Sequence, residues 1–245
     1  MYLHQRQRRV FMATPRFAIY RPIHKAVRQV LFSTSHKVGM SDFSDEADVQ
    51  EALEAIDSML SLLHAHREHE DKYIHPPAES RIPGITANFE ADHLEDIALS
   101  TKVGEVAGRI RADSGEDRVP LGIQLHELLN AYIGIYLGHL YREETVMQQA
   151  LWDNFTDEEI LAIDMEIVAN VPPQMRAELI PLMCRTFSPA DLAPVLAGVK
   201  SNAPSEFVEQ ALKMAEEGLP PRSWAKVKAS LDHLNLPGDS GDGLS

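Results

Sequence analysis

The sequence predicts an all-α fold, and three observations predict it. Two long segments carry their apolar residues in unbroken steps of three and four. One runs Leu53, Ile56, Leu60, Leu63, His66, Glu70, Ile74, and the other Leu121, Leu125, Leu128, Tyr132, Ile135, His139, Glu143, Val146. That spacing lines one face of a helix. Prolines, glycines and capping residues cut the rest of the chain into helix-sized pieces. No strand-like alternation of useful length occurs anywhere in the 245 residues.

The elements follow in order. A first helix is expected from near Arg21 to Ser33, with Pro22 tolerated in its first turn. Gly39 to Ser44 reads as a connection. The second helix starts near Ser44-Asp45 and is expected to stop before Pro76-Pro77. Pro83-Gly84 marks a loop. The third helix spans about Asn88 to Arg111, and the Ser/Gly/Asp-rich stretch Asp113 to Asp117 is a turn. The fourth, from about Pro120 to Trp152, is the longest. Thr156-Asp157-Glu158-Glu159 is a capping box opening a helix that ends near Pro172-Pro173. Ser188-Pro189 and Pro204-Ser205 open two more. A last helix surrounds Trp224 and Leu231, and the Gly/Asp/Ser tail after Pro237 is expected to be disordered. The only internal likeness is a rough two-fold one between the two long stripes.

Composition bounds the function. A hydrophobic content of 44% is enough for one good core, or one core with an appendage. The net charge of −14 argues against a general nucleic-acid or anionic-membrane surface. No run approaches the roughly 20 apolar residues of a spanning helix. Cys184 is the only cysteine, which leaves no internal disulfide and no thiolate iron–sulfur cluster within one chain. That usage fits a reducing, cytoplasmic setting. Residues 1–17 hold Arg6, Arg8, Arg9 and Arg16 and no acid. They read as a targeting segment, a basic arm or a loose tail, and no apolar stretch follows to make a secretory signal.

The chemistry lies on the two stripes. His66 and Glu70 are four residues apart, as are His139 and Glu143, so each pair shares a helix face. Each carboxylate sits on a face meant for the core, where an unpartnered charge costs several kcal/mol. Two further histidines fall on apolar stripes: His24 among Tyr20, Val27 and Leu31, and His93 between Phe89 and Ile97. Four helices therefore each point one imidazole inward, and two add a carboxylate. Metal sites in helical bundles are built this way. Imidazole and carboxylate without thiolate suit iron, manganese or zinc, and two bridging carboxylates suit a pair of metals. The alternative is a set of buried ion pairs without metal. That arrangement needs many hydrogen bonds to offset desolvation.

At these residues the chain resembles the hemerythrin-like family, the HHE cation-binding domains. The resemblance rests on His24, on His66 and Glu70 within HREHEDKYIHP, on His93 within ADHLEDI, and on His139 and Glu143 within HLYREETVM. It implies an up-down four-helix bundle over residues 18–153, with 154–236 as a C-terminal helical extension and 237–245 as tail. It implies a non-haem di-iron centre bridged by the two carboxylates and an oxo or hydroxo group, with metal ligands His24, His66, Glu70, His93, His139 and Glu143. The sequence departs from the oxygen-carrying members at Ile97, where their third helix has a second His. It looks closer to four-His sensor and stress-response branches. Water, His36 or Glu144 are the candidates to replace the absent imidazole.

The remaining histidines read differently. His64, His69 and His126 lie off the stripes and are expected in solvent. His75, before Pro76, either caps the helix end, the favoured reading, or lines the mouth of the site. His4 and His233 are expected on the surface. Tyr20, Tyr132 and Tyr136 are either core aromatics or donors to a bound ligand. Residues 154–236 carry no metal set, so their apolar positions pack on the bundle, or else on a protein partner or a second copy.

Three functions stay open. The first is a di-iron protein that binds or senses O2, NO or peroxide through an open coordination position. The second is a di-iron enzyme of oxidative or nitrosative stress, a peroxidase, oxidase or iron-centre repair protein. The third is a structural bundle with adventitious zinc.

Overall fold

The structure is a computed structural model that describes residues 16–113, 115, 117–202 and 205–234. His4, the side chain of His233, most of the basic N-terminal segment and the tail from 237 lie outside the described residues. Every regular element among the described residues is helical.

Four long helices form the centre: α1 (Tyr20–Met40), α2 (Glu46–His69), α4 (Ala87–Ala112) and α5 (Arg118–Arg142). α1 packs on α2 and α5, and α4 packs on the same two, so the four close a ring. The short α3 (His75–Arg81) follows α2. Val27, Leu31, Ile56, Leu63, Leu125, Leu129 and Leu140 fill the interior. Burying each such side chain stabilises by roughly 1.5–3 kcal/mol.

α1 runs seven residues further than the sequence suggested, because Thr34 and Val38 continue its buried face. Asp45 caps α2 by accepting from the N–H groups of Ala47 and Asp48.

The Pro76-Pro77 stop is overturned. α2 leads into a π turn at Glu70–Ile74, and α3 continues the same path. Both prolines lie in the first turn of α3, and the backbone stays helical through them. The turn widens so that His75 N–H donates to Glu70 O, five residues back. A second π turn, Glu143–Met147, joins α5 to α6 (Gln148–Asn154). There too the donor is five residues on: Gln148 N–H reaches Glu143 O. Gly84, at φ +88°, makes the left-handed turn that leaves α3 for α4.

The Thr156 capping box is present at the start of α7 (Asp157–Asn170). Beyond it come α8 (Pro173–Thr186), α9 (Pro189–Asn202), α10 (Ser205–Gly218) and α11 (Pro221–Leu234). α8 was not anticipated, because Pro181 inside it breaks the helix signature. These helices build a second core around Cys184, Leu192, Leu196, Trp224 and Val227. They also touch the centre: α8 lies on α1, α7 lies on the first π turn, and Lys25 pairs with Asp191. Arg16, assigned above to the N-terminal tail, is anchored. Its guanidinium donates to Phe155 O at 2.7 Å and meets Asp157 at 2.9 Å. No described helix is long and apolar enough to cross a membrane.

Candidate metal centre

Both π turns begin on a stripe carboxylate, Glu70 in one and Glu143 in the other. His66 stands in the last turn of α2 and His139 in the last turn of α5. His24 comes from α1 and His93 from α4. All six side chains are buried. They converge on one point between the four long helices.

The convergence has a definite form. Donor atoms of His24, His66, Glu70 and Glu143 all lie within 4.8 Å of one another, and so do those of Glu70, His93, His139 and Glu143. Both carboxylates belong to both groups. His139 Nε2 is 2.9 Å from Glu143, His66 Nε2 is 3.2 Å from Glu70, and His24 Nε2 is 3.4 Å from Glu143. His93 Nε2 is 3.5 Å from Glu70.

Three of the imidazoles are fixed from behind. His24 Nδ1–H donates to Glu144 at 3.0 Å, His93 Nδ1–H to Asp71 at 2.9 Å, and His139 Nδ1–H to Asp92 at 3.3 Å. A proton on Nδ1 leaves Nε2 as a lone pair aimed inward, the form that ligates a cation. Arginines steady two of those carboxylates: Arg28 donates to Glu144 at 2.6 Å and Arg142 to Asp92 at 2.5 Å. Sequence reasoning missed Asp71 and Asp92 and took Glu144 for a possible ligand. Each is a direct neighbour in sequence of an inward residue (Glu70, His93, Glu143), which places it one helix position round, behind an imidazole.

The inward atoms find no partner. Nε2 of His24, His66 and His93 and all four oxygens of Glu70 and Glu143 are buried without a hydrogen bond. Each orphan costs about 1–3 kcal/mol, and more when charged. A cation satisfies them together, so the residues present fit a metal group. The electrostatics agree. Burial and the charge of Glu70 push Glu143 up to about 7. Burial raises Glu70 as well, but His66, His24 and His93 outweigh it and hold it well below the usual carboxylate range. Burial drives His66 down to about 3. Burial lowers His139 too, yet Glu143 and Glu70 outweigh it and lift it to about 9. Like charges are being separated by protons where a cation would do the same.

Other expectations change. Ile97 does not face the cluster: it is 42% exposed, in an open groove with Arg67, Ser100 and Thr101. The buried face of α4 runs through Phe89, His93, Asp96, Val103, Ala107 and Ile110. At about 100° per residue, Ile97 lies roughly 100° from the middle of that face. Asp96 points inward instead, bound to Arg67 and to the Tyr132 hydroxyl. His36 is exposed and twelve residues along α1 from His24, about 18 Å away. Glu144 is engaged behind His24. None of these stands where a fifth imidazole would.

His75 is not a helix cap, because the helical path continues past it. It is buried, its ring stacked on His93 at 5.3 Å and 13°. Tyr20, Tyr132 and Tyr136 are buried; Tyr136 meets the His139 ring edge-on at 5.8 Å, and the Tyr20 hydroxyl has no partner. His64 is exposed, while His69 and His126 are half-buried. Ile135 and Val146 of the second stripe are exposed, Ile133 and Met147 being buried in their stead.

The sequence profile described as "Hemerythrin HHE cation binding domain" matches residues 17–160, more than half of the chain. No curated protein matches the chain at a significant level.

Proposed function

We propose that this chain, which belongs to the hemerythrin HHE cation-binding family, holds a pair of iron ions and binds or senses O2, NO or peroxide. In this reading α1, α2, α4 and α5 are the arms of an up-down four-helix bundle over residues 18–153. His24 and His66 hold one ion, His93 and His139 hold the other, and Glu70 and Glu143 bridge them. The observation that carries the reading is that the two four-residue groups share both glutamates. A single-ion site has no use for that overlap. Zinc or manganese suits the same donors, so iron rests on the redox chemistry the function requires.

When bound, the metal pair supplies an open coordination position and a change of oxidation state. The chain's own residues do the rest. Asp71, Asp92 and Glu144 hold three imidazoles in one tautomer and one orientation. Tyr20 lies against the His24 ring and Phe89 against the His139 ring, and both belong to an apolar cluster with Met147 and Leu151. Burial and the charges of Glu143 and Glu70 keep the Tyr20 hydroxyl protonated, so it can donate a hydrogen bond inside the cluster.

Residues 154–236 are proposed as an extension through which a partner or second copy reads the state of the centre. The support is contact: α8 lies on α1, the helix of His24, and Lys25 pairs with Asp191.

The test is to load the full chain with iron, reduce it without oxygen, and titrate O2, NO and hydrogen peroxide in turn. A stoichiometric spectral change with at least one of the three supports the reading. Sustained turnover of peroxide or NO makes the protein an enzyme instead. No response to any of them overturns it.

A further inference from the structure

Beside the six-residue cluster, and sharing His93 with it, a third group of donors lies close together: Asp71, His75 and His93. His75 is 5% exposed, and neither ring nitrogen has a hydrogen-bond partner. A buried imidazole without a hydrogen bond costs about 1–3 kcal/mol per orphaned group. Core packing alone does not explain it, since Phe or Leu fills such a space without that cost.

The spacing is that of a ligand set. Asp71 Oδ1 is 3.2 Å from His75 Nδ1 and 2.9 Å from His93 Nδ1. A tetrahedral ion with arms of roughly 2.0–2.1 Å has donors about 3.3 Å apart. The His75 and His93 rings are nearly parallel, so the two imidazoles present themselves side by side to one point. Asp71 is about half exposed, with 47% of its side chain open to solvent, so one donor reaches water while two stay buried.

We propose that Asp71, His75 and the Nδ1 edge of His93 form an outer cation seat for a divalent transition ion of the zinc or iron(II) class, next to the inner cluster and joined to it through His93. Asp71 gives a carboxylate oxygen and His75 gives Nδ1. His93 Nδ1 gives its lone pair as its proton leaves to solvent, so one cation arrives and one proton departs. The outer ion exchanges with solvent through Asp71, and His93 joins the two sites because its Nε2 faces the inner one. The seat gives cations a stage between water and a buried cluster.

The probe is zinc alone, measured by equilibrium dialysis on the metal-free full chain, with far-UV circular dichroism to establish folding. His75→Ala and His75→Phe are each expected to bind one equivalent fewer than wild type, and the lost equivalent is the weaker one. Glu143→Ala is expected to keep the outer equivalent while losing inner ones, which separates failure of this seat from failure of the inner site. His75→Phe fills the same buried space without a ligand nitrogen, so it reports even where His75→Ala folds poorly. Variants that bind as much zinc as wild type overturn the seat. Loss of more than one equivalent also overturns it, by making His75 part of the inner cluster.

Discussion

At the scale of single residues, the chemistry depends on side chains that never face the cluster centre. Asp92 holds His139 from behind and is itself held by Arg142. Replacing such a partner typically lowers metal affinity about 10–100-fold. Asp92→Asn is therefore expected to weaken binding by that factor while leaving the fold intact, as read by competition with a chromophoric chelator. Unchanged affinity would remove Asp92 from the account. Proton balance gives a second expectation. His139 rests near 9 and Glu143 near 7, so at neutral pH both carry a proton for part or most of the time. A bound cation needs the unprotonated forms. Metal uptake at pH 7 is thus expected to release protons, and apparent affinity to rise with pH until about 9 and fall steadily in acid. Isothermal titration in buffers of differing ionisation enthalpy measures the release, and a value of zero would contradict the arrangement.

At the scale of elements, the sequence was legible wherever a helix has one buried face and clear ends. The stripe from Leu53 to Ile74 is buried almost throughout, and Thr156 caps α7 as its four-residue motif required. It was illegible at two kinds of place. The π turns at Glu70–Ile74 and Glu143–Met147 have no distinctive composition, so the continuation through Pro76-Pro77 could not be foreseen. α4 carries only a short apolar run near His93, and three positions were too few to fix its phase. That is why Ile97 was placed inward and Asp96 was not considered. A glycine pair tests the packing directly. A Cβ at Gly122 would lie 2.3 Å from the Phe43 ring, whereas one at Gly134 meets nothing within 4 Å. Gly122→Ala is expected to destabilise by about 1–3 kcal/mol through overpacking. Gly134→Ala is expected to stabilise by up to about 1 kcal/mol through helix propensity. Urea denaturation of both variants measures the contrast, and equal effects would contradict the α5–Phe43 contact.

At the scale of the whole molecule, the buried His/Glu cluster is a cost the fold carries unless a cation is present. The six inward residues were legible because each sits on an apolar stripe, where a charge demands a reason. Their bracing by Asp71, Asp92 and Glu144 was not, since helix neighbours of a ligand look like any solvated acid. Binding to the native state stabilises by mass action, about 2.7 kcal/mol at a hundredfold excess over Kd. Chelation is accordingly expected to lower the melting temperature by several degrees in calorimetry, and an unchanged value after verified metal removal would favour self-satisfied ion pairs. The central claim is that Glu70 and Glu143 each serve both ions. The most direct measurement is iron per folded chain, after passage over a chelating resin that strips weakly held metal. Wild type and His69→Ala are expected to keep about two irons, while Glu70→Ala and Glu143→Ala each lose most of both. Two irons retained without either glutamate, or a site emptied by His69→Ala, would contradict the account.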